Sequence, residues 1–489
     1  MLNNPFKAPE SFPNSNEKRV SFKRLVIAAA FPFCISSGAY TIKITTDRLM
    51  LANHSSLGLC AALSGGLAAF MLASLFIGLA SYTSILVSQY YGAKAYRQIG
   101  PCVWRGLFVS LLAGGILLLL ATPVSRIFSL IGHPDDLATA ESLYFKILTF
   151  GAIFSLGNTA LMCFWTGRGK TWTVVKVNLL AILVNIFLNN QLIFGSQALG
   201  IPSLGILGAG LATLSSDALK TVLLLGLFLK ANHQKAYLTF PPKIGANRSN
   251  RLFLKQGLSN GSLALLNNGT LAFFHLIIGL YAQDKSFVPV ASGISFTIVS
   301  AFLIPLIGLS SAITMLTGQA KGAGDENFLR DILRSGTFWA LVFLGSGGLA
   351  ILCFPNQFIS FFGHNVSLTP PTFSLIQNLL GLAIAFLVVE GFGQFWSGAI
   401  RGLGAVTKSM KITAFTGLGF FIGAPLIFTL GGGASWIWIL LISLGLVRAS
   451  LCFLYLWKKI KGQLYLHPPY SKSSISGGYL LPKELIKAI

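Results

Sequence analysis

The sequence predicts an all-α polytopic membrane protein, with twelve transmembrane helices in two six-helix lobes related by a pseudo-two-fold axis along the membrane normal. Three observations carry this. Of 489 residues, 54% are hydrophobic and only 10% are charged, with a mean hydropathy of +0.72. Soluble domains carry about 25% charged residues, so no water-soluble core could hide these side chains. Apolar runs of the roughly 20 residues needed to cross a bilayer recur along the whole chain. Finally, phrases from the first half return in the second at a nearly constant spacing.

Taken in order, the predicted spans are 24–46, 57–88, 103–128, 139–165, 172–195, 204–230, 258–282, 288–318, 335–356, 374–400, 408–430 and 434–457. The first follows a polar, proline-containing tail and is long enough to span, so it reads as a retained helix rather than a cleaved signal. Several runs exceed the bilayer thickness, which implies tilt. The organisation expected is a cytoplasmic tail 1–23, an N-lobe 24–230, a cytoplasmic inter-lobe loop 231–257, a C-lobe 258–457 and a basic cytoplasmic tail 458–489.

The formal net charge of +23 does not point to nucleic acid, because the bases form no single patch. They alternate from loop to loop. Loops after even-numbered spans hold Lys94 and Arg97, Arg168 and Lys170, a cluster from Lys235 through Lys243, Arg248 and Arg251 to Lys255, then Lys321, Arg330 and Arg401. Loops after odd-numbered spans hold little beyond Arg48 and Lys285. By the positive-inside rule this places both termini in the cytoplasm of a multi-pass protein of the plasma (inner) membrane. The six cysteines lie singly, with neither a disulfide framework nor metal-ligand spacing.

The repeat is read from scarce residues. Gln89, Gly92, Ala93 and Gly106 match Gln319, Gly322, Ala323 and Gly336 at an offset of 230. Phe164-Trp165-Thr166-Gly167 matches Phe395-Trp396-Ser397-Gly398 at 231. Six spans per half give both lobes the same orientation in the membrane, as in transporters that rock two bundles about a central site. "GRGKT" (Gly167–Thr171) resembles the end of a phosphate loop, but Phe164 stands where the required glycine would be.

Of thirteen acidic residues, three lie in apolar surroundings: Asp47, Asp217 and Glu390. An ionised carboxylate at the bilayer centre costs about 2.5–3.5 kcal/mol on insertion scales, so it marks a cavity or a neutralising pair. Sequence neighbours suggest Lys43 as a partner for Asp47 and Lys220 for Asp217, whereas Glu390 has no basic residue within two turns. Asn185 and Asn189 share one face of the fifth span, as Thr213 and Asp217 do of the sixth. Such oxygens suit a hard cation such as Na⁺, and a carboxylate in a poorly hydrated cavity equally suits a proton. Hydrogen-bonded helix packing accounts for the asparagines as well.

Four stretches taken together resemble the MATE family of multidrug and toxic compound extrusion transporters, within the multidrug/oligosaccharidyl-lipid/polysaccharide exporter superfamily. They are "FPFCISSGAYTIKITTD", "SQYYGA" with its partner "GQAKGAG", "VNIFLNNQLIFG" followed by "LGILGAGLAT", and "EGFGQFWSGAIRGLGAVT". The resemblance implies a secondary antiporter that exports small amphipathic or cationic compounds in exchange for H⁺ or Na⁺, without a cofactor, acting as a monomer. It makes Asp47 an ion or proton site with Asn185, Asn189 and Thr213 as its partners, to which the spacing on the sixth span adds Asp217 as a candidate. It places Glu390 on the carboxylate of the tenth span, and Lys43, Asn267 and Gln394 along the substrate cavity. Some members carry glutamate where this chain has Asn267. A lipid-linked oligosaccharide flippase is the alternative within the superfamily, kept open by intramembrane Lys43, Lys146, Lys220 and Arg448. An embedded enzyme is disfavoured, since His275 stands alone in its span.

Overall fold

The structure, a computed structural model, describes residues 18–197, 200–241, 247–281, 287–363 and 369–461. The first seventeen residues, Lys243, Lys285 and the C-terminal tail beyond residue 461 lie outside the described residues, as does the side chain of Arg248.

In a bilayer every backbone polar group must be satisfied within the protein, and long helices do this locally. The helices are α1 (Lys18–His54), α2 (Ser56–Gly92), α3 (Ile99–Ser125), α4 (Ile127–Leu130), α5 (Asp135–Thr166), α6 (Thr171–Ile193), α7 (Gly205–Phe228), α8 (Ala231–Tyr237), α9 (Asn247–Leu280), α10 (Phe287–Ala323), α11 (Glu326–Cys353), α12 (Pro355–Phe362), α13 (Pro370–Gly402), α14 (Val406–Thr429) and α15 (Ala434–Lys461). Among the described residues twelve are long and apolar enough to span; α4, α8 and α12 are short. The 37-residue α1 and α2 are about 55 Å long at 1.5 Å per residue, well beyond the roughly 30 Å hydrocarbon core. Helix α8 and the first turns of α9 fall within 231–257, so the inter-lobe connection is partly helical.

Side chains sort inside-out. Leu119, Ile422 and Leu352 are 78%, 71% and 65% exposed, facing lipid, while Ser88, Thr317 and Ser409 are fully buried between helices. Small and hydroxyl residues at helix seams allow the close approach that membrane packing relies on.

The pseudo-symmetry is visible in which helices touch. In the N-lobe α1 packs on α6, α2 on α5, α3 on α5, α5 on α7 and α6 on α7. The C-lobe repeats each pairing as α9 on α14, α10 on α13, α11 on α13, α13 on α15 and α14 on α15. Between the lobes, α2 meets α9 and α1 meets α10, again a symmetric pair, and α2 crosses α10.

One detail of the repeat is corrected. Gly167 lies against Ser84 and Val87, whereas the residues 230 positions later, Thr314 and Thr317, lie against Gly402. Gly402 is therefore the counterpart of Gly167, and Gly404 in its turn (φ +74°) matches Gly169 (φ +76°). The two Phe-Trp pairs sit one helical turn out of register. A four-residue shift keeps the same face of a helix, which is why the false register looks convincing in sequence. Their surroundings differ accordingly: Trp165 is buried with Phe164 in the N-lobe core, while half-buried Trp396 packs on Phe453 of α15. Nor does "GRGKT" cradle anything. Arg168 is buried, its Nε donates to the Phe164 carbonyl at 2.6 Å, and its guanidinium lies 3.6 Å from the Phe164 ring centroid and 4.5 Å from that of Tyr237. This pins α8 beneath the N-lobe. His233 of α8 joins the cluster, its pKa lowered by burial, so its neutral ring donates from Nδ1 to the Leu227 carbonyl at 2.9 Å.

The α2–α10 crossing explains the other repeated phrase. Gly92 abuts the backbone of Gln319, and Gly322 abuts that of Gln89; a Cβ at either would overlap the opposing chain. Gln89 Nε2 donates to the Gly402 carbonyl at 3.0 Å, and Gln319 Nε2 to that of Gly167 at 3.0 Å. Each lobe thus clasps the end of a helix in the other. Gly78 against Gly261 and Gly308 against Cys34 extend the seam toward mid-helix. These contacts close the lobes at the end that carries the inter-lobe connection.

Replacing Gly322 with leucine is expected to prise that end apart. In a cysteine-free background, a Ser88→Cys reporter, buried at this seam, should then react several-fold faster with a water-soluble maleimide. Labelling as slow as in the parent would mean that the crossing tolerates a side chain.

Candidate functional site

Among the described residues, two polar clusters hold Asp47 and Glu390. The first is built from three helices of the N-lobe. Asp47 sits two turns before the end of α1, only 8% exposed. Asn189 Nδ2 donates to its Oδ1 at 2.5 Å, and Thr213 Oγ1 on α7 lies 3.5 Å from its Oδ2. Asn189 Nδ2 also approaches Asn185 Oδ1 at 3.3 Å, one turn earlier on α6. Asn189 Oδ1 and Asn185 Nδ2 are buried without partners. The end of α1 is held in place by His54 Nε2, 2.9 Å from Ser203 Oγ, which in turn donates to the Ile193 carbonyl at 2.7 Å.

The lysine suggested for Asp47 pairs elsewhere. Lys43 Nζ lies 3.8 Å from Asp217 Oδ1, across from α1 to α7. Asp47 itself makes no ion pair among the described residues. Lys220 is close enough to feel both Asp217 and Lys43, but is not the partner of Asp217 within ion-pair distance. Asp217, Asn158 and Thr221 are tied through backbone and side chain: Asn158 Nδ2 and Thr221 Oγ1 donate to the Asp217 carbonyl at 3.1 and 2.9 Å.

The second cluster corrects the reading of Glu390 as unpaired. Its carboxylate forms an ion pair with Arg448 of α15, 58 positions away and invisible to any local search. Gln394 Nε2 donates to the other carboxylate oxygen at 2.9 Å, and Arg448 donates to Asn267 Oδ1 at 3.0 Å. The guanidinium also lies against Gly393, where a side chain would displace it. Thr270, Thr413, Thr416 and Gly417 complete a narrow polar pocket around the pair. Glu390 and Arg448 are almost equally buried, at 12% and 11% side-chain exposure. Asn267, in the seventh span, here serves a cation of the protein itself.

The lobes differ sharply at equivalent positions. Gly308 meets Cys34 as Gly78 meets Gly261, which sets Asp47 opposite Phe274 in the repeat. The offset of α14 on α6 sets Asn185 and Asn189 opposite Phe420 and Ala424. Where the N-lobe has a carboxylate and amides, the C-lobe has Phe274 packed on Phe420 and Trp438, with ring centroids 6.5 and 5.0 Å away.

A profile of the MatE family matches residues 32–190 and 265–429, one segment in each lobe. The chain belongs to the MatE family. Its relatives include "Probable multidrug resistance protein NorM" of Pseudomonas putida, 28% identical over 453 residues, covering 89% of this chain and 94% of the relative. "Multidrug resistance protein NorM" of Burkholderia vietnamiensis is 29% identical over 419 residues, covering 84% and 88%. Among solved structures, an outward-facing multidrug resistance MATE family transporter of the MOP superfamily superposes with a TM-score of 0.80 at 21% identity, over 92% of this chain and 99% of that one. Both segments of the MatE match include a cluster residue, Asp47 in the first and Glu390 in the second.

Breaking a buried ion pair from one side strands a charge and costs about 3–5 kcal/mol. Arg448→Met is therefore expected to lower the melting temperature of the purified protein markedly, and Arg448→Met with Glu390→Gln to recover much of the loss. If the double variant melts no higher than Arg448→Met, the pair is not the local stabilising unit described here.

Proposed function

We propose that this MatE-family chain is a secondary active antiporter that exports small amphipathic, cationic organic compounds in exchange for H⁺ or Na⁺. The supporting observation is the pocket around Asp47: a buried carboxylate bearing two neutral hydrogen bonds and no cationic side chain. Its oxygens, with Asn185 Oδ1, Thr213 Oγ1 and the unpartnered Asn189 Oδ1, form the hard donor set a small cation requires. A proton on Asp47 serves the same purpose by removing the charge. With Asp47 neutralised, the Asn189 amide can turn about its terminal torsion and present oxygen instead of nitrogen. Ion binding then changes the hydrogen bonds between α1 and α6, and so the geometry of α1 against the C-lobe helix α10.

Only an ion with different affinity for two lobe arrangements can drive one toward the other. The structure is closed at the basic, connection-bearing end. With the termini cytoplasmic by the positive-inside rule, in the inner membrane, this is the outward-facing arrangement, in which Asp47 lies toward the external side. An ion entering there would favour release of the exported compound. Asp217 with Lys43, and Glu390 with Arg448, Asn267 and Gln394, are charge pairs that line the lobes and set their electrostatics rather than open ion sites. We assign 24–230 and 258–457 to the moving lobes, the tails 1–23 and 458–489 and the connection 231–257 to the cytoplasmic side, and transport to a single chain.

A flippase would need unpaired cations converging on one cavity to hold phosphate. Arg448 and Lys43 are matched by carboxylates and Lys146 is exposed. Of the four, half-buried Lys220 alone is left, without an ion pair among the described residues. One cation is not a converging set, which argues for the antiporter.

The test is efflux of a fluorescent cationic dye from proteoliposomes under an imposed H⁺ or Na⁺ gradient. Wild type should respond to one gradient, Asp47→Asn should fall to the protein-free background, and Asn189→Ala should need a steeper gradient. Gradient-driven export that survives in well-folded Asp47→Asn would sink the assignment of the ion site.

A further inference from the structure

A second site lies on the flank of the molecule, between α2 and α3 of the N-lobe and α9 of the C-lobe. We infer that this groove holds one anionic phospholipid of the bilayer, its phosphate on Arg105 and an acyl chain along the apolar wall. The reading does not depend on which ion drives transport.

The groove encloses about 310 Å³. Its polar groups gather at one end and its apolar walls at the other. At the polar end, Arg105 is only 6% exposed, yet its Nε has no hydrogen-bond partner among the described residues, and it makes no ion pair there. Asn250 Oδ1, beside it, is equally unpartnered. The Phe253 ring also faces the guanidinium, with its centroid 6.0 Å away. A buried arginine normally has a counter-charge, because removing a cation from water costs several kcal/mol unless it is paired and hydrogen-bonded. A phosphate diester supplies that charge and accepts two parallel N–H bonds from the guanidinium.

The other wall is made by Phe76, Phe108, Leu112 and Ile116. The last three are 44%, 54% and 47% exposed, so the groove opens sideways into the hydrocarbon of the bilayer rather than into water. Depth fits the order of a lipid. Arg105 lies six residues into α3, about 9 Å from its start, and Ile116 about 16 Å deeper at 1.5 Å per residue. A headgroup at interfacial depth and a tail running toward the bilayer centre match that sequence of groups. Because α9 belongs to the other lobe, the lipid touches both lobes at the closed end.

Arg251 and Lys255 are exposed on α9 near the polar end. They are ordinary interfacial bases that attract any anionic surface, so the experiment must separate them from Arg105. Purified full-length protein in detergent would be titrated with phosphatidylglycerol and phosphatidylcholine and the bound lipid counted by native mass spectrometry. Both lipids carry the phosphate diester, but the choline cation of phosphatidylcholine offsets the charge that a buried, unpaired Arg105 requires, so phosphatidylglycerol should bind about tenfold more tightly. Arg105→Gln should erase that preference, while the double variant Arg251→Gln with Lys255→Gln should keep it. Leu112→Trp, which fills the groove with the charge intact, should weaken both lipids and remains informative if Arg105→Gln does not fold. Equal binding of the two lipids, a preference that survives Arg105→Gln, full retention in Leu112→Trp, or displacement by millimolar inorganic phosphate would each overturn the proposal.

Discussion

Where α2 crosses α10, two polypeptide backbones touch, with Gly92 against Gln319 and Gly322 against Gln89. Helices in lipid gain nothing from burying apolar surface against one another, because lipid tails are as apolar as leucine. Close packing of small residues and interhelical hydrogen bonds must hold them instead. The crossing uses both: glycines bring the chains together, and the two glutamine amides reach past each other to the Gly402 and Gly167 carbonyls. Apolar contacts cross the seam as well: Phe22, Val26 and Ala30 of α1 join the C-lobe core, and Phe253 of α9 and Val406 of α14 pack on Leu79, Tyr82 and Ile85 of α2.

The charges inside the bilayer follow a second constraint, that an ionised group without a partner is expensive there. Lys43, Arg448 and Arg105 meet this in two ways. Lys43 finds Asp217 on a neighbouring helix, Arg448 finds Glu390, and Arg105 faces the lipid-side groove. Asp47 differs from Asp217 and Glu390 in having amide and hydroxyl neighbours and no ion pair among the described residues, which is what the proposed ion site rests on. The C-lobe positions equivalent to Asp47 and Asn185 carry the rings of Phe274 and Phe420. One frame, used twice, therefore carries a carboxylate-amide cluster in one half and aromatic packing at Phe274 and Phe420 in the other.

The fold was legible because its signals are local or periodic. Span length, loop charge and the glycine-glutamine phrase at Gly92 and Gly322 each follow from rules that operate along the chain, and Asp47, Asn185, Asn189 and Thr213 converge as their helical spacing suggests. What misled was also local. The Phe-Trp phrase matched at a register one turn away from the packed one, because a four-residue slip preserves a helical face. Glu390 looked unpaired because its arginine lies two spans later.

The amino-acid sequence by itself determined the class, the number of spans, the two-lobed repeat and the pool of polar residues that the bilayer would not leave idle. It could do so because a membrane restricts the chain to long helices and punishes every misplaced charge. The partners of those charges were decided only in three dimensions. Lys43 has Asp47 as its neighbour on α1 and Asp217 as its neighbour on α7, and only the packing of one helix against the other settles which carboxylate it pairs with.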